Sequence, residues 1–141
     1  MGHNKSLIKR TTADRVIKEI IERAKEINND DSYTYGVKAL YVFGSYLTTD
    51  KPMIGDLDIL VDTYWKDDIK DPIFNERVEA ERKLCNRGSF IDHIYYPFER
   101  VIRRLKNRSR TLSLHRIDEK DYIGEHKLIY DGSEYIFKGN K

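Results

Sequence analysis

The chain has few of the features that mark secreted, membrane-spanning or disulfide-rich proteins. Its single cysteine, Cys85, excludes an internal disulfide, and no CxxC spacing suggests a zinc site. The longest apolar runs, such as Ile59–Val61, are far shorter than the roughly 18 residues of a membrane span. Met1–Arg10 has no apolar stretch of signal-peptide length, so we expect no secretion signal. These absences favour a reducing, cytoplasmic setting without membrane contact.

Nothing in the sequence divides the chain. The three prolines and eight glycines form no linker, and there is no repeat of fixed period and no low-complexity tract. The length of 141 residues falls in the range of about 100–150 residues that is commonest for single domains. Two full catalytic domains are therefore excluded, and we expect residues 1–141 to form one domain.

The charge of the chain is unevenly distributed, although the formal total is only +2. Asp50–Asp71 contains seven aspartates and three lysines, a net charge of −4. Pro97–Arg116 contains seven lysines and arginines and one glutamate, a net charge of +6. The acidic segment suits cations, and the basic run Arg100–Arg110 suits a triphosphate, a nucleic-acid backbone or an acidic protein. The alternative for the basic run is the solvated face of an amphipathic helix.

Residue periodicity predicts the order α-β-β-α-β-α, followed by a less regular tail. The predicted elements are a helix from Thr11 or Thr12 to Asn28 with Asp14 in its capping box, a strand Val37–Phe43, a strand Asp56–Asp62, a helix Pro72–Arg87, a strand Ser89–Tyr96, a helix from Pro97, a segment Leu112–Ile117 that fits strand or helix, and strands Leu128–Tyr130 and Tyr135–Phe137 around an Asp131-Gly132 turn. This order indicates an α/β (α+β) domain, with a small mixed β-sheet flanked by helices.

Two aspartates on one predicted strand give the strongest chemical signal. Because side chains alternate along a strand, Asp56 and Asp58 share one face, and Leu57 and Ile59 face the other way. Carboxylates about 7 Å apart on one face can share a pair of divalent ions, and they are costly to bury without cations. A pair of solvated acids at a sheet edge is the alternative.

Gly44 and Ser45 end the preceding predicted strand. A glycine there lets the backbone approach a ligand closely, and free amides and the serine hydroxyl can bind phosphate oxygens. If the two strands are neighbours, this turn and the paired aspartates lie at one rim of the sheet. That arrangement is what metal-assisted phosphoryl transfer requires.

Asp92 lies in an otherwise apolar and aromatic stretch, Phe90–Ile94, where a metal ligand or a base explains a carboxylate better than packing does. The alternative is a surface acid on an edge strand. His93 would face the opposite side of that strand as a partly buried structural histidine. Tyr95 and Tyr96 could stack on a base or pack at the strand end. The next candidates for a third carboxylate are Asp118, Glu119 and Asp121.

Together these motifs resemble a known family. Tyr41-Val42-Phe43-Gly44-Ser45, then ten residues, then Asp56-Leu57-Asp58-Ile59-Leu60-Val61, and later Ile91-Asp92-His93, is similar to the pattern of the DNA polymerase β-type nucleotidyltransferase superfamily, in particular its small minimal nucleotidyltransferase (MNT) branch. In that pattern an apolar strand ends in Gly-Ser, an Asp-x-Asp follows, and a third carboxylate lies on a later strand. The resemblance covers roughly Val37 to Tyr96.

The resemblance implies a role for each motif residue. Gly44 and Ser45 would hold a nucleoside triphosphate (NTP). Asp56, Asp58 and Asp92 would bind two Mg²⁺ (or Mn²⁺) ions, and Asp92 would help to activate an acceptor hydroxyl. The implied reaction moves a nucleoside monophosphate, AMP if ATP is the donor, to a protein, a nucleic acid or a small molecule and releases pyrophosphate.

The chain departs from the family pattern at one place. Many members of the branch carry an arginine shortly after Gly-Ser, where this chain has Leu47–Thr49. Triphosphate contacts of that arginine would be missing or supplied elsewhere. This departure leaves open a second interpretation, a weakly active or inactive antitoxin-like protein that binds a toxin-like partner, and a homodimer also stays open.

Overall fold

The computed structural model describes residues 7–86 and 88–139 of the chain. Along the chain the elements are β1 (Ile8–Lys9), α1 (Arg10–Asn29), β2 (Tyr35–Phe43), α2 (Ser45–Thr48), β3 (Met53–Ile54), β4 (Leu57–Trp65), α3 (Pro72–Arg82), α4 (Phe90–Lys106), β5 (Leu112–Arg116), a 3₁₀ helix (Ile117–Tyr122), β6 (His126–Asp131) and α5 (Ser133–Gly139). Within the described ranges, no helix combines the length and the apolar character needed to span a bilayer.

A four-stranded mixed sheet in the order β5-β4-β2-β6 forms the centre of the fold. β2 pairs antiparallel with β4 on one side and with β6 on the other, and β4 pairs in parallel with β5. β1 and β3 form a separate antiparallel pair. The mixed sheet and its helices confirm the predicted α/β (α+β) class, and the ambiguous segment Leu112–Ile117 is a strand as far as Arg116.

The hydrophobic core lies on one face of this sheet. Leu57 and Ile59 of β4 are fully buried there against Ile20 of α1 and against Val101 and Leu105 of α4. Burial of each such aliphatic side chain contributes about 1.5–3 kcal/mol. Because side chains alternate along a strand, the residues that alternate with Leu57 and Ile59 along β4 have their side chains on the opposite face of the sheet. We call this opposite face the second face.

The predicted strand Ser89–Tyr96 is wrong, because this segment begins the 17-residue helix α4. A capping box starts the helix: the Ser89 N–H donates to Asp92 Oδ2 at 2.7 Å, and the Asp92 N–H donates to Ser89 Oγ at 3.4 Å. Pro97, predicted to open a helix, lies inside it and is buried. An interior proline costs about 3 kcal/mol or more, and the buried contacts of Val101 and Leu105 offset that cost.

The predicted strand Tyr135–Phe137 is also wrong, because these residues lie in α5. The Asp131 side chain explains the difference, since its Oδ1 accepts the Ser133 N–H at 2.9 Å and starts a helical turn instead of a hairpin. Hydrogen bonding from Ser133 lowers the pKa of Asp131.

Two helix boundaries differ from prediction. α1 begins at Arg10 with Lys9 at its N-cap, so neither predicted threonine caps it. Asp14 does not complete a capping box, and its Oδ1 accepts the Tyr46 hydroxyl. α3 ends at Arg82, and Arg87, where we predicted its end, lies outside the described residues.

Candidate active site

Gly44 and Asp58 meet where β2 ends and β4 begins. Phe43 is paired with Asp58 across the two antiparallel strands, so the predicted neighbourhood of the Gly-Ser turn and the aspartates is confirmed. Gly44 has φ +77°, and a Cβ added to it would lie 2.5 Å from Asp58 Oδ2. Only glycine therefore allows the Asp58 carboxylate to sit this close to the turn.

The loop after the turn is held by its own backbone and by α1. The Gly44 carbonyl accepts the Leu47 and Thr48 N–H groups, both at 3.0 Å, in the short helix α2 that Ser45 begins. The Arg10 guanidinium donates to the carbonyls of Tyr46, at 2.7 Å, and Thr49, at 2.6 Å. Arg10 thus fixes the loop by binding its carbonyl groups.

Asp56 and Asp58 lie on either side of Leu57 at the start of β4. Asp56 immediately precedes the strand and Asp58 is its second residue, and both are half-buried. Leu57 and Ile59 are fully buried in the core, so the Asp58 side chain faces the second face, as the alternation predicted. A half-buried carboxylate in this position gains from a nearby cation, because the cation offsets its loss of hydration.

His115 of β5 is the neighbour of Asp58 that sequence reasoning missed. Its Nε2 lies 3.3 Å from Asp58 Oδ1 and 3.1 Å from Ser113 Oγ. Its ring packs edge-on against Phe43, with 5.0 Å between centroids. No local sequence motif indicates a role for this residue, because only the parallel pairing of β5 with β4 places it next to Asp58.

Asp92 lies apart from the two other aspartates. Its carboxylate is exposed at the first turn of α4 and accepts hydrogen bonds from the Ser89 backbone and hydroxyl. Among residues 7–86 and 88–139, no three histidine, cysteine, aspartate or glutamate side chains converge into a group that could hold a metal ion. The structure therefore brings Asp56 and Asp58 to the Gly-Ser turn but does not bring Asp92 there.

The part of the basic run that belongs to α4, residues 100–106, lies on the core side of the sheet, because α4 packs there through Val101 and Leu105. Arg100 donates to Glu81 Oε2 at 3.0 Å and lies over the Tyr33 ring, 3.9 Å from its centroid. Arg104 donates to Glu26 of α1. These arginines link helices and loops to each other, on the side of the sheet opposite to Asp58.

The donor set at the β2–β4 junction fits a divalent cation. Asp56 and Asp58 offer carboxylate oxygens, which are the ligands that Mg²⁺ and Mn²⁺ prefer. The missing Cβ of Gly44 leaves room against Asp58 Oδ2. Protein sites for Mg²⁺ commonly use one or two carboxylates and take the remaining ligands from water and substrate phosphates. Asp56 and Asp58 match that description.

Comparison with known proteins gives one match. Residues 17–118 match the family described as nucleotidyltransferase domain, and this range contains the Gly-Ser turn, both aspartates and His115. No curated protein and no solved structure gives a significant match. The matched range covers more than half of the chain. It includes most of α1 and all of the elements that follow as far as β5.

Proposed function

Because the chain belongs to the nucleotidyltransferase domain family, we propose that it is a metal-dependent enzyme that moves a nucleoside monophosphate from an NTP to an acceptor hydroxyl. The family resemblance of the motifs supports ATP as the donor and AMP as the group transferred. The acceptor is a protein, a nucleic acid or a small molecule. We further propose that residues 1–141 act as one domain, since the core is shared by elements from α1 to β6.

The observation that carries this proposal is the contact between the Asp58 carboxylate and Gly44. A Cβ added to Gly44 would lie 2.5 Å from Asp58 Oδ2. The acid that would bind a cation therefore lies next to the turn that would bind phosphate. Phosphoryl transfer depends on positioning and on neutralising charge, which requires these two functions side by side.

The proposed reaction breaks the O–H bond of the acceptor and one P–O bond, and it forms one new P–O bond. The acceptor hydroxyl loses its proton to water and its oxygen attacks the α-phosphorus. The bond from that phosphorus to the bridging β-phosphate oxygen breaks, and pyrophosphate leaves with the electron pair of that bond. Asp56 and Asp58 would hold the divalent cation, which when bound neutralises phosphate charge and lowers the pKa of a coordinated hydroxyl. Ser45 would donate its hydroxyl to a phosphate oxygen, and the Gly44 turn would let the phosphates approach the backbone.

Arg10 does not take over the role of the family's missing arginine, because its guanidinium already binds three loop carbonyls, those of Tyr46, Thr49 and Lys51. It would keep the turn in one conformation before substrate arrives, which lowers the ordering cost of binding. We assign Asp92 to stabilising α4, because its carboxylate is engaged at the start of that helix.

The test is transfer of label from each of the four NTPs, labelled at the α-phosphate, with Mg²⁺ or Mn²⁺ and cell extract. We expect label to enter one acceptor class and Asp58→Asn to abolish this, since an amide is a poor ligand for a hard cation. Asp62→Asn is the matched control, because Asp62 is a half-buried aspartate further along the same strand and should keep the activity. Equal activity of Asp58→Asn and wild type would contradict the proposal.

A second candidate function, an antitoxin-like partner of another protein, is favoured by an apolar surface near the start of α4. Phe90 is 79% exposed, Ile91 62% and Tyr95 60%, and Leu84 after α3 is 52% exposed. Exposed apolar residues that form a group mark protein interfaces. This surface includes the segment where a strand was predicted.

Thermal unfolding with NTP and metal separates the two candidates. An enzyme is stabilised by its ligand, by RT ln(1 + [L]/Kd), whereas a binding protein with a dead site gains nothing. The double variant Phe90→Ser, Ile91→Ser should leave NTP stabilisation unchanged if the site is catalytic. It should abolish association with the partner, or with a second copy, if the apolar surface is an interface.

A further inference from the structure

His115 is held on the second face beside Asp58 by the pairing of β5 with β4. In this parallel pair Asp58 is aligned with Ser113, and Leu60 with His115. Residues two apart share a face, so Ser113 and His115 stand together next to Asp58. The distances agree, with His115 Nε2 3.1 Å from Ser113 Oγ and 3.3 Å from Asp58 Oδ1.

The other ring nitrogen of His115 faces a carboxylate. Its Nδ1 lies 3.7 Å from Glu119 Oε2 in the 3₁₀ helix, and that oxygen also accepts the Arg116 N–H at 2.8 Å. The Phe43 ring fixes the imidazole plane from the side. Histidines that bind metals usually donate the N–H of their second nitrogen to a carboxylate, a backbone carbonyl or water, and this leaves the other nitrogen to the ion.

We propose that His115 is a nitrogen ligand of the divalent cation, which it shares with Asp58. This inference rests on the proposed function. Neighbouring ligand atoms of an octahedral ion with bonds of about 2.1 Å are about 3 Å apart. The separation of 3.3 Å between Asp58 Oδ1 and His115 Nε2 is close to that value. Triphosphate oxygens would complete the coordination.

The chemical consequence is a change of metal preference. Oxygen ligands favour Mg²⁺, whereas imidazole favours first-row transition metals, in an order that rises from Mn²⁺ towards Co²⁺ and Ni²⁺. A site with His115 should therefore bind Mn²⁺ and Co²⁺ in preference to Mg²⁺. His115→Asp, which replaces the imidazole nitrogen with a carboxylate oxygen, should shift the metal preference towards Mg²⁺ without abolishing metal binding.

The deciding experiment is pulsed electron paramagnetic resonance of Mn²⁺ bound to the protein with inorganic tripolyphosphate, a probe without nitrogen. Wild type should show hyperfine coupling from a directly bound ¹⁴N, and His115→Asp should bind Mn²⁺ without it. His126→Asn is the matched control, because His126 is aligned with Phe43 on β6, outside the proposed ligand set, and the coupling should persist.

Three outcomes would overturn the inference, and they differ in whether the proposed function survives. Mn²⁺ that binds wild type with tripolyphosphate but shows no ¹⁴N coupling excludes His115 as a ligand and leaves the proposed function intact. Failure of wild type to bind Mn²⁺ under these conditions removes the metal site, and with it both the inference and the metal-dependent function. Unchanged Mg²⁺ and Co²⁺ affinities in His115→Asp would also contradict the inference.

Discussion

Gly44→Ala is expected to destabilise the protein and to displace the Asp58 carboxylate. The φ of +77° and ψ of −154° at Gly44 belong to a region that essentially only glycine occupies, at a cost of about 1–3 kcal/mol for other residues. The alanine Cβ would lie 2.5 Å from Asp58 Oδ2 and 3.4 Å from its Cγ, so the carboxylate must turn away. Since Asp58 is the proposed ligand, transfer activity should fall by more than the loss of stability explains.

Two other glycines separate backbone strain from the displacement of Asp58. Gly124 has φ +73° with no atom within 4 Å of an added Cβ, so Gly124→Ala should destabilise by strain alone. Gly55 has no atom within 4 Å and lacks a positive φ, so Gly55→Ala should be close to neutral. The assays are urea unfolding and the initial rate of label transfer, measured at a temperature where all three variants are folded.

The comparison can refute the reasoning in two ways. If Gly44→Ala loses no more activity than Gly124→Ala, the contact with Asp58 does not matter for the reaction. If Gly44→Ala is as stable as Gly55→Ala, the backbone at this turn is not strained by a side chain.

Four further predictions follow from other contacts. Ser45→Ala should weaken triphosphate binding by about 1–3 kcal/mol in calorimetry, the scale of a hydrogen bond to a charged group, and an unchanged affinity would exclude that hydrogen bond. Asp92→Ala should lower the free energy of unfolding by about 0.5–1.5 kcal/mol, because it removes the capping-box acceptor of the Ser89 N–H, while NTP affinity stays constant; a collapse of affinity would return this acid to the site. Glu81→Ala should lower the free energy of unfolding by about 2–3 kcal/mol, because it removes the acceptor of the buried Thr34 N–H and the carboxylate partner of the partly buried Arg100. Glu79→Ala on the same helix should cost little. Burial lowers the pKa of Lys66 from its usual 10.5 to about 8, so between these two values the folded state holds fewer protons than the unfolded state. The free energy of unfolding should therefore rise with pH between about 8 and 10.5 in wild type but not in Lys66→Met.

The part of the site that could be predicted depends on short-range patterns. Alternation along β4 assigns Leu57 to the core and Asp58 to the opposite face, and the structure confirms it. A glycine at the end of an apolar strand marks the turn at Gly44. Both patterns involve residues that are neighbours in sequence, or strands joined by a short connection, so the sequence contains enough information to place them.

The error at Ser89–Tyr96 has a local cause. Isoleucine, tyrosine and phenylalanine favour strands, and Pro97 resembles the first residue of a new helix. The opposing signal was present as Ser89 and Asp92, three residues apart, which form a capping box. The apolar spacing of Pro97, Val101 and Leu105, which are all buried, also shows the period of a helix that continues through the proline.

His115 and Glu81 could not be predicted, because tertiary packing alone gives them partners. Glu81 is 1% exposed and bonds to the Thr34 N–H and to Arg100, two residues far from it in sequence. On an isolated helix it is one acid among many. His115 likewise sits in a short strand whose alignment with β4 no local pattern specifies.

The parallel pairing of β4 with β5 also has a consequence for the order of folding. The turn at Gly44 and the start of β4 come together through a short connection between antiparallel strands. The pairing of Asp58 with His115 spans 57 residues and must wait until α3 and α4 have crossed the sheet. Closing long loops is slow, because their entropy is lost before contacts compensate for it. The two parts of the candidate site should therefore form at different times. In a nascent chain that does not yet include β5, the glycine turn and the aspartates should come together without the imidazole.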